Sequence, residues 1–300
     1  MGSLPNARLI DVLQTGRERV IGAWDLGGAI VDPGPESRIE TVLENLSEPP
    51  RALLLTHIHL DHAGAAGALV ERYPDLAVYV HARGAPHLVD PSRLLASATR
   101  LYGDEMDSLW GRVVPVPASN VTTLEGGERL RVAGREIDVE YAPGHAYHHV
   151  VFFDASDGTA YVGDVAGVRI PPSDFVRPPT PPPDIDVELW QRSIELVEER
   201  EPEQLALTHF GAVEEPGPHL AQMRTRLDDM AQLVRRLLDE HGDTPEAVQA
   251  FVDEMRRRAA EASRDGSAAV LEVGAPIEQT WAGMRRYWVK RAEAVRPGQS

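Results

Sequence analysis

Cysteine is absent from this 300-residue chain, and lysine occurs once, at Lys290. Without thiols there is no disulfide framework, and the composition fits a reducing, cytoplasmic setting. Positive charge is scarce overall: 30 Lys and Arg stand against 47 Asp and Glu, for a formal net charge of −17. A surface of that sign repels phosphate backbones, so nucleic acid is not an expected partner. No apolar run approaches the length of a membrane span, so no membrane is expected either. The opening Met1-Gly2-Ser3-Leu4-Pro5 has no charged region leading into an apolar core, and no signal peptide is expected there. What remains is a chain long enough for one large α/β domain plus an accessory segment, with a small molecule as its expected partner.

What the chain does have is histidine, eleven in all, three of them within Thr56-His57-Ile58-His59-Leu60-Asp61-His62-Ala63-Gly64. The apolar run Ala52-Leu53-Leu54-Leu55 just before it reads as a strand. In extended chain, residues two apart share a face, so His57 and His59 can reach one ion together. The chain then turns, and Asp61 and His62 point to a second position close by. Imidazole and carboxylate are the ligand set of zinc and related divalent metals. A lone histidine is usually a polar surface residue or a satisfied core one. Four ligand-type residues in six positions, with Gly64 allowing a tight turn, read as a metal-binding loop.

A two-metal site needs more ligands than one loop provides. His145 follows the apolar-periodic Ile137–Tyr141 through the turn Pro143-Gly144, Asp164 follows Ala160-Tyr161-Val162-Gly163, and His209 follows Leu205-Ala206-Leu207-Thr208. Singly, each has a plain structural reading, His145 as a turn residue or Asp164 as a helix N-cap. Their shared position after strand-like runs favours convergence, because a rigid scaffold must preorganise a metal pair.

The series His57-x-His59-x-Asp61-His62, Gly144-His145, Gly163-Asp164 and Thr208-His209 resembles the metallo-β-lactamase superfamily, in its glyoxalase II-like hydrolase branch. Val31-Asp32-Pro33-Gly34 also matches a turn of that branch, and the resemblance spans about residues 8–212. It implies an α/β fold, a four-layered αβ/βα sandwich over 1–212, with 213–300 as a C-terminal helical cap or a homodimerisation segment. It further implies that His57, His59 and His145 hold one metal, that Asp61, His62 and His209 hold the other, and that Asp164 bridges both. The implied cofactors are two divalent ions, zinc first, with iron or manganese as alternatives. The missing cysteine excludes the cysteine ligand of some β-lactam-hydrolysing members. A hydroxide between two such cations is a nucleophile near neutral pH, and the second oxygen of Asp61 can orient it and carry a proton to the leaving group.

Residues 19–32 read as a strand pair turning at Trp24–Gly28, 36–46 as an amphipathic helix, and 51–55 as a strand. One helix is expected after Asp61, then a strand at Leu76–Val80, a hairpin over 128–142 around Gly134, and a buried strand at Val150–Phe153. Past residue 213, apolar residues recur at helical spacing from Leu220 to Leu237, ending near Gly242. Helices restart at Thr244-Pro245-Glu246 and over Ile277–Ala292.

Two stretches are expected to wall the substrate pocket. Residues 171–183 hold seven prolines, which disfavour regular structure and stiffen the loop. There Phe175 offers an apolar surface, and Arg169 or Arg177 offers a guanidinium to a substrate carboxylate. Leu94 to Trp110 is too apolar for a plain surface loop. His149 fits a hydrogen-bonding place behind the ligands. His148 stands where glyoxalase II-like proteins often have glycine, and Tyr147, also unusual there, is a candidate substrate contact. His81 and His87 fall on a separate strand-to-turn segment, and His219 and His241 are expected in solvent.

The leading expectation is a dinuclear zinc hydrolase acting on an ester, thioester or lactone. The resemblance weakens the lactone, because lactonases of similar fold often place a tyrosine shortly after the bridging aspartate and none closely follows Asp164. A phosphodiesterase on the same site is one alternative. A mononuclear iron enzyme resembling persulfide dioxygenases is another, opposed by the full set of seven ligand positions. A binding protein on a metallohydrolase scaffold is opposed by the same set.

Overall fold

Short runs of apolar residues separated by turns fold here into two six-stranded sheets packed face to face. The structure, a computed structural model, describes residues 6–262 and 267–295; the N-terminal pentapeptide lies outside the described residues. The first sheet takes its strands in chain order: β1 (Arg8–Asp11), β2 (Gly22–Asp25), β3 (Ala29–Val31), β4 (Ala52–Leu54), β5 (Ala77–His81) and β6 (Val121–Leu124). From β3 onward neighbours run parallel. Parallel neighbours need long crossovers. These carry α1 (Ile39–Asn45), α2 (Leu60–Ala63), α3 (Ala66–Arg72), α4 (Ala85–Val89), α5 (Ser92–Tyr102) and α6 (Met106–Trp110).

The second half continues with β7 (Arg129–Val132), β8 (Arg135–Tyr141), β9 (Val150–Asp154) and β10 (Thr159–Tyr161). A two-stranded ribbon, β11 (Val168–Arg169) with β12 (Val176–Arg177), and α7 (Val187–Glu199) come before β13 (Gln204–Leu207) and β14 (Gly211–Val213). The second sheet is ordered β14-β13-β10-β9-β8-β7. Four helices end the chain: α8 (Pro216–His241), α9 (Pro245–Ala262), α10 (Ser267–Gly274) and α11 (Ile277–Val295).

Alternate strand residues point to opposite faces, which divides the core into layers. Trp24, Leu54, Val139, Phe152 and Tyr161 pack between the sheets. Leu53, Leu69 and Val78 pack the first sheet's outer face against its helices, while Val151, Leu205 and Leu207 meet Trp190, Leu227 and Phe251 on the other side. The result is the four-layered αβ/βα sandwich. The buried stripe of α8 (Leu220, Met223, Leu227, Met230, Val234, Leu237) joins the same core as the second sheet. Each such side chain contributes on the order of 1.5–3 kcal/mol on burial, so α8 is fastened to the sandwich along its length. Among the described residues, no helix is long and apolar enough to cross a membrane.

Several expectations change. The helix expected after Asp61 is two, because the Ala65 amide donates to Gly34 O outside any helix. Trp24 and Asp25 belong to β2, leaving Leu26–Gly28 as the turn. The proline-rich stretch is not wholly irregular: its proline-free part holds β12, paired to β11. Most of Leu94–Trp110 is helical. His219 is not in solvent; its face of α8 turns inward, its Nε2 donates to Ala166 O at 2.8 Å, and burial pushes its pKa down to about 4.

Candidate metal centre

The ligand-type residues all follow the C-terminal ends of strands. The loop His57–His62 follows β4, His145 follows β8, Asp164 follows β10 and His209 follows β13. Two glycines make the approach possible. Gly144 has φ +130°, and a Cβ there would lie 2.2 Å from the Trp190 nitrogen. Gly163 has φ +47°, and a Cβ would lie 2.5 Å from Thr56 Oγ1. At both positions a side chain would push the neighbouring ligand residue away, and the positive φ favours glycine independently.

The structure brings all seven predicted ligand residues together in two adjoining groups. One is His57, His59, His145 and Asp164; the other is Asp61, His62 and His209; within each, the ligand atoms lie within 4.8 Å of one another. His59 Nδ1 is 2.9 Å from His57 Nε2 and 3.0 Å from His145 Nε2. Asp164 faces both groups: Oδ2 lies 3.2 Å from His145 Nε2, and Oδ1 lies 3.4 Å from His62 Nε2 and 3.6 Å from His209 Nε2. Asp61 Oδ2 is 3.3 Å from His209 Nε2.

The outward bonds decide which atoms face inward. His145 Nδ1 donates to Pro179 O at 3.0 Å, and His209 Nδ1 donates to Val20 O at 2.7 Å. His62 Nδ1 donates to Asp32 Oδ2 at 2.7 Å. The Thr56 hydroxyl also donates to Asp32 Oδ2, at 2.7 Å, so its oxygen is left to accept from His57 Nδ1 at 3.1 Å. A neutral imidazole with its proton on Nδ1 presents a lone pair at Nε2. The Nε2 atoms of His57, His62, His145 and His209 thus converge with the carboxylates of Asp61 and Asp164, and each Nε2 can present a lone pair to a metal ion once its proton, where one is held, has left. The His62 Nε2 and Asp164 Oδ1 atoms are buried without a hydrogen-bond partner. Such a set suits a metal ion, and nitrogen and oxygen donors without thiolate suit zinc, iron or manganese.

Asp32 is the functional residue that sequence reading passed over. Fully buried at φ +49°, it accepts from Thr56 N, Thr56 Oγ1, His62 Nδ1 and Thr208 Oγ1 at 2.7–2.9 Å. The turn Val31–Gly34 signalled its presence, but its partners come from two distant segments, the Thr56–His62 loop and Thr208. His149 sits behind the site: its Nε2 accepts from Asp164 N at 3.2 Å, and its ring stacks on His57 at 4.8 Å. The electrostatics are opposed within one cluster. Burial and the neighbouring imidazoles hold His57 well below the ordinary histidine range. For His62 burial acts the same way, but the carboxylates of Asp164, Asp32 and Asp61 outweigh it and hold the group well above that range.

A cavity of about 620 Å³ opens on the two groups at His59, Asp61, Asp164 and His209. Part of the lining is Leu94, Ala98, Leu101, Tyr102 and Trp110; the rest includes Pro179–Asp184 with Val273–Pro276, Gln279 and Thr280. Segments on either side of the sandwich therefore close over one opening, and Tyr102 Oη reaches Gln279 Oε1 at 3.5 Å. Burial and the nearby Asp61 hold the Tyr102 phenol above its ordinary pKa.

The four predicted substrate contacts are not in this lining. Arg177 is fully buried, its guanidinium bonding the carbonyls of Leu271 and Ala275 at the end of α10. Arg169 pairs with Asp174 at 2.8 Å. Phe175 packs with Phe210, Ala259 and Leu271, with Arg226 over its ring at 3.9 Å. Tyr147 is half-buried, its carbonyl accepting from Tyr141 Oη at 2.9 Å. The β11–β12 pairing turns the first part of the proline-rich stretch under α8 and α10, so only its later part reaches the cavity. His148 and His87 do line the cavity.

The family model for the metallo-beta-lactamase superfamily matches residues 25–209. The metallo-beta-lactamase fold-containing protein of Sulfurisphaera tokodaii is 29% identical over 179 residues, covering 58% of this chain and 66% of that protein. The hydroxyacylglutathione hydrolase of Thermosynechococcus vestitus is 30% identical over 136 residues, 45% of this chain and 42% of that protein. The matched region thus spans less than two thirds of each relative. Among solved structures, an archaeal superfamily protein from Sulfolobus tokodaii gives a TM-score of 0.68 at 22% identity, covering 94% of this chain and 99% of that one. A metallo-beta-lactamase family protein from Thermus thermophilus gives 0.69 at 20% identity, covering 99% and 96%.

Proposed function

The chain belongs to the metallo-beta-lactamase superfamily, and from that premise we propose that it is a dinuclear metal hydrolase cleaving an ester, thioester or lactone of a small, largely apolar molecule. The observation that carries this reading is the convergence of His57, His59, His145 and Asp164 beside Asp61, His62 and His209, open to a mostly apolar cavity. Two divalent cations held there supply Lewis acidity and lower the pKa of water from 15.7 toward about 7. The chain's own residues do the rest. Asp32, Pro179 O and Val20 O fix the imidazoles in the ligating tautomer, as outer hydrogen bonds do in metal sites generally. Asp61, which lines the cavity, takes a proton from water in this reading and passes it to the leaving group. The apolar walls exclude water from around the acyl group and orient it.

The lining favours an uncharged acyl body over a polyanion. Among the described residues Arg93 is its one guanidinium, and the carboxylates of Glu105 and Asp184 offset it. Zinc is the favoured ion, on the donor set and on the likeness to the hydroxyacylglutathione hydrolase. The test is turnover by zinc-loaded and chelator-stripped protein on an aryl ester, a thioester, a lactone and an aryl phosphodiester. Zinc-dependent cleavage of one of the first three is expected. Faster cleavage of the phosphodiester overturns the acyl assignment.

A further inference from the structure

His148 lines the cavity beside His59 but is not one of the seven ligand residues. Its side chain is nine-tenths buried, with 8% exposure. The ring stands across that of His59 at 5.7 Å and 89°, and stacks on His57 at 6.1 Å and 14°. The chain holds it from behind. Ile58 N donates to Nδ1 at 3.4 Å, and Gly84 has no side chain where a Cβ would lie 3.3 Å from His148 Cβ. Because Nδ1 accepts, the ring proton belongs on Nε2. With Nδ1 turned to the backbone, Nε2 is the ring's open polar atom, and no protein group among the described residues bonds it.

A hydrogen-bond donor thus stands in the wall of a mostly apolar cavity, next to the seven ligand-type residues. We propose that His148 is a catalytic oxyanion donor, its Nε2–H bonding the carbonyl oxygen of the substrate's acyl group beside His59. The assignment rests on the acyl-hydrolase reading above. Water oxygen adds to the carbonyl carbon while the C=O π pair moves onto the carbonyl oxygen. That oxygen gains negative charge, and its bond from Nε2–H strengthens, which lowers the barrier. The pair then returns, the bond to the leaving group breaks, and the leaving group takes the proton passed on by Asp61. One water is consumed, and a carboxylic acid and the protonated leaving group are released. His148 keeps its Nε2 proton throughout, so it acts as a hydrogen-bond donor and transfers no proton.

The test compares wild type with His148→Phe and His148→Gln, each carrying two zinc ions. His148→Phe is expected to keep both ions and to lose about 100-fold to 1000-fold in kcat, with little change in KM. His148→Gln retains an N–H and is expected to recover part of that loss. A readout independent of turnover is ¹⁵N-edited NMR of the His148 ring, with phenylphosphonate as a tetrahedral anionic probe. The proton is expected on Nε2, and its resonance should move when the probe binds. Wild-type kcat in His148→Phe overturns the proposal, as does activity lost only in proportion to zinc, or a ring proton found on Nδ1. If wild type cleaves no acyl substrate and the ring proton still moves with the probe, the hydrolase reading falls and the donor stands. An unmoved proton overturns the donor.

Discussion

At the scale of single residues, the metal centre depends as much on a side chain that touches no metal position as on those that do. Asp32 collects four hydrogen bonds, from Thr56 N, Thr56 Oγ1, His62 Nδ1 and Thr208 Oγ1. Replacing it with Ala leaves these donors buried without an acceptor, each at a cost of about 1–3 kcal/mol. Asp32→Ala is therefore expected to lose at least about 3 kcal/mol in urea unfolding, and to weaken zinc binding at the Asp61, His62 and His209 group by about 10-fold to 100-fold. Zinc titration calorimetry checks the second part, and unchanged affinity would show that the tautomer lock is dispensable. Asp164 faces both groups, so Asp164→Ala should lower zinc content at both and abolish most hydrolysis, as metal analysis and turnover would register.

Among the elements, α10 is the one whose anchorage decides the shape of the cavity. Its C-terminal carbonyls are bonded by the buried Arg177, while Val273 to Pro276 line the opening. A cation at a helix C-terminus is stabilising by itself, by up to about 2 kcal/mol when partly buried. Burial alone pushes the Arg177 pKa down to about 10 against the pull of Glu272 and Glu278, so the group stays charged near neutral pH. Arg177→Met is expected to raise amide exchange across α10 and to change KM more than kcat. Unaltered exchange there would mean that packing alone holds the helix. This residue also marks the boundary of what sequence reading reaches. His57 to His62 were legible because their ligand spacing is local, and the α8 stripe because its period is. An arginine in a proline-rich stretch reads the same whether it meets substrate, solvent or a helix end, and only the pairing of β11 with β12 decides. Asp32 was visible as part of a turn, but its partner Thr208 lies 176 residues away.

For the whole molecule, stability should depend on pH through a histidine remote from the cavity. His219 in the folded chain has a pKa pushed down to about 4 by burial, against 6.5 for the free side chain. Between those values the unfolded chain binds a proton that the folded chain refuses, so stability falls as pH drops through that window. The loss approaches about 3 kcal/mol by the low end. His219→Gln removes this contribution and should flatten the slope of unfolding free energy between pH 6.5 and 4. An unchanged slope would move the dependence elsewhere.

The joining of His209 to Val20, 189 residues apart, bears on how the chain reaches its final state. The loop at His57 hangs from the first sheet, while His145, Asp164 and His209 hang from the second. An intermediate in which one sheet alone has formed offers at most part of the cage, and cations bind partial cages weakly. Metal capture is therefore a late event, and because binding free energy counts toward folding free energy, it rewards only the finished arrangement. A tightly held ion is in this sense a certificate of completion: a nicked or half-docked chain loaded with metal should release it before it loses its helices.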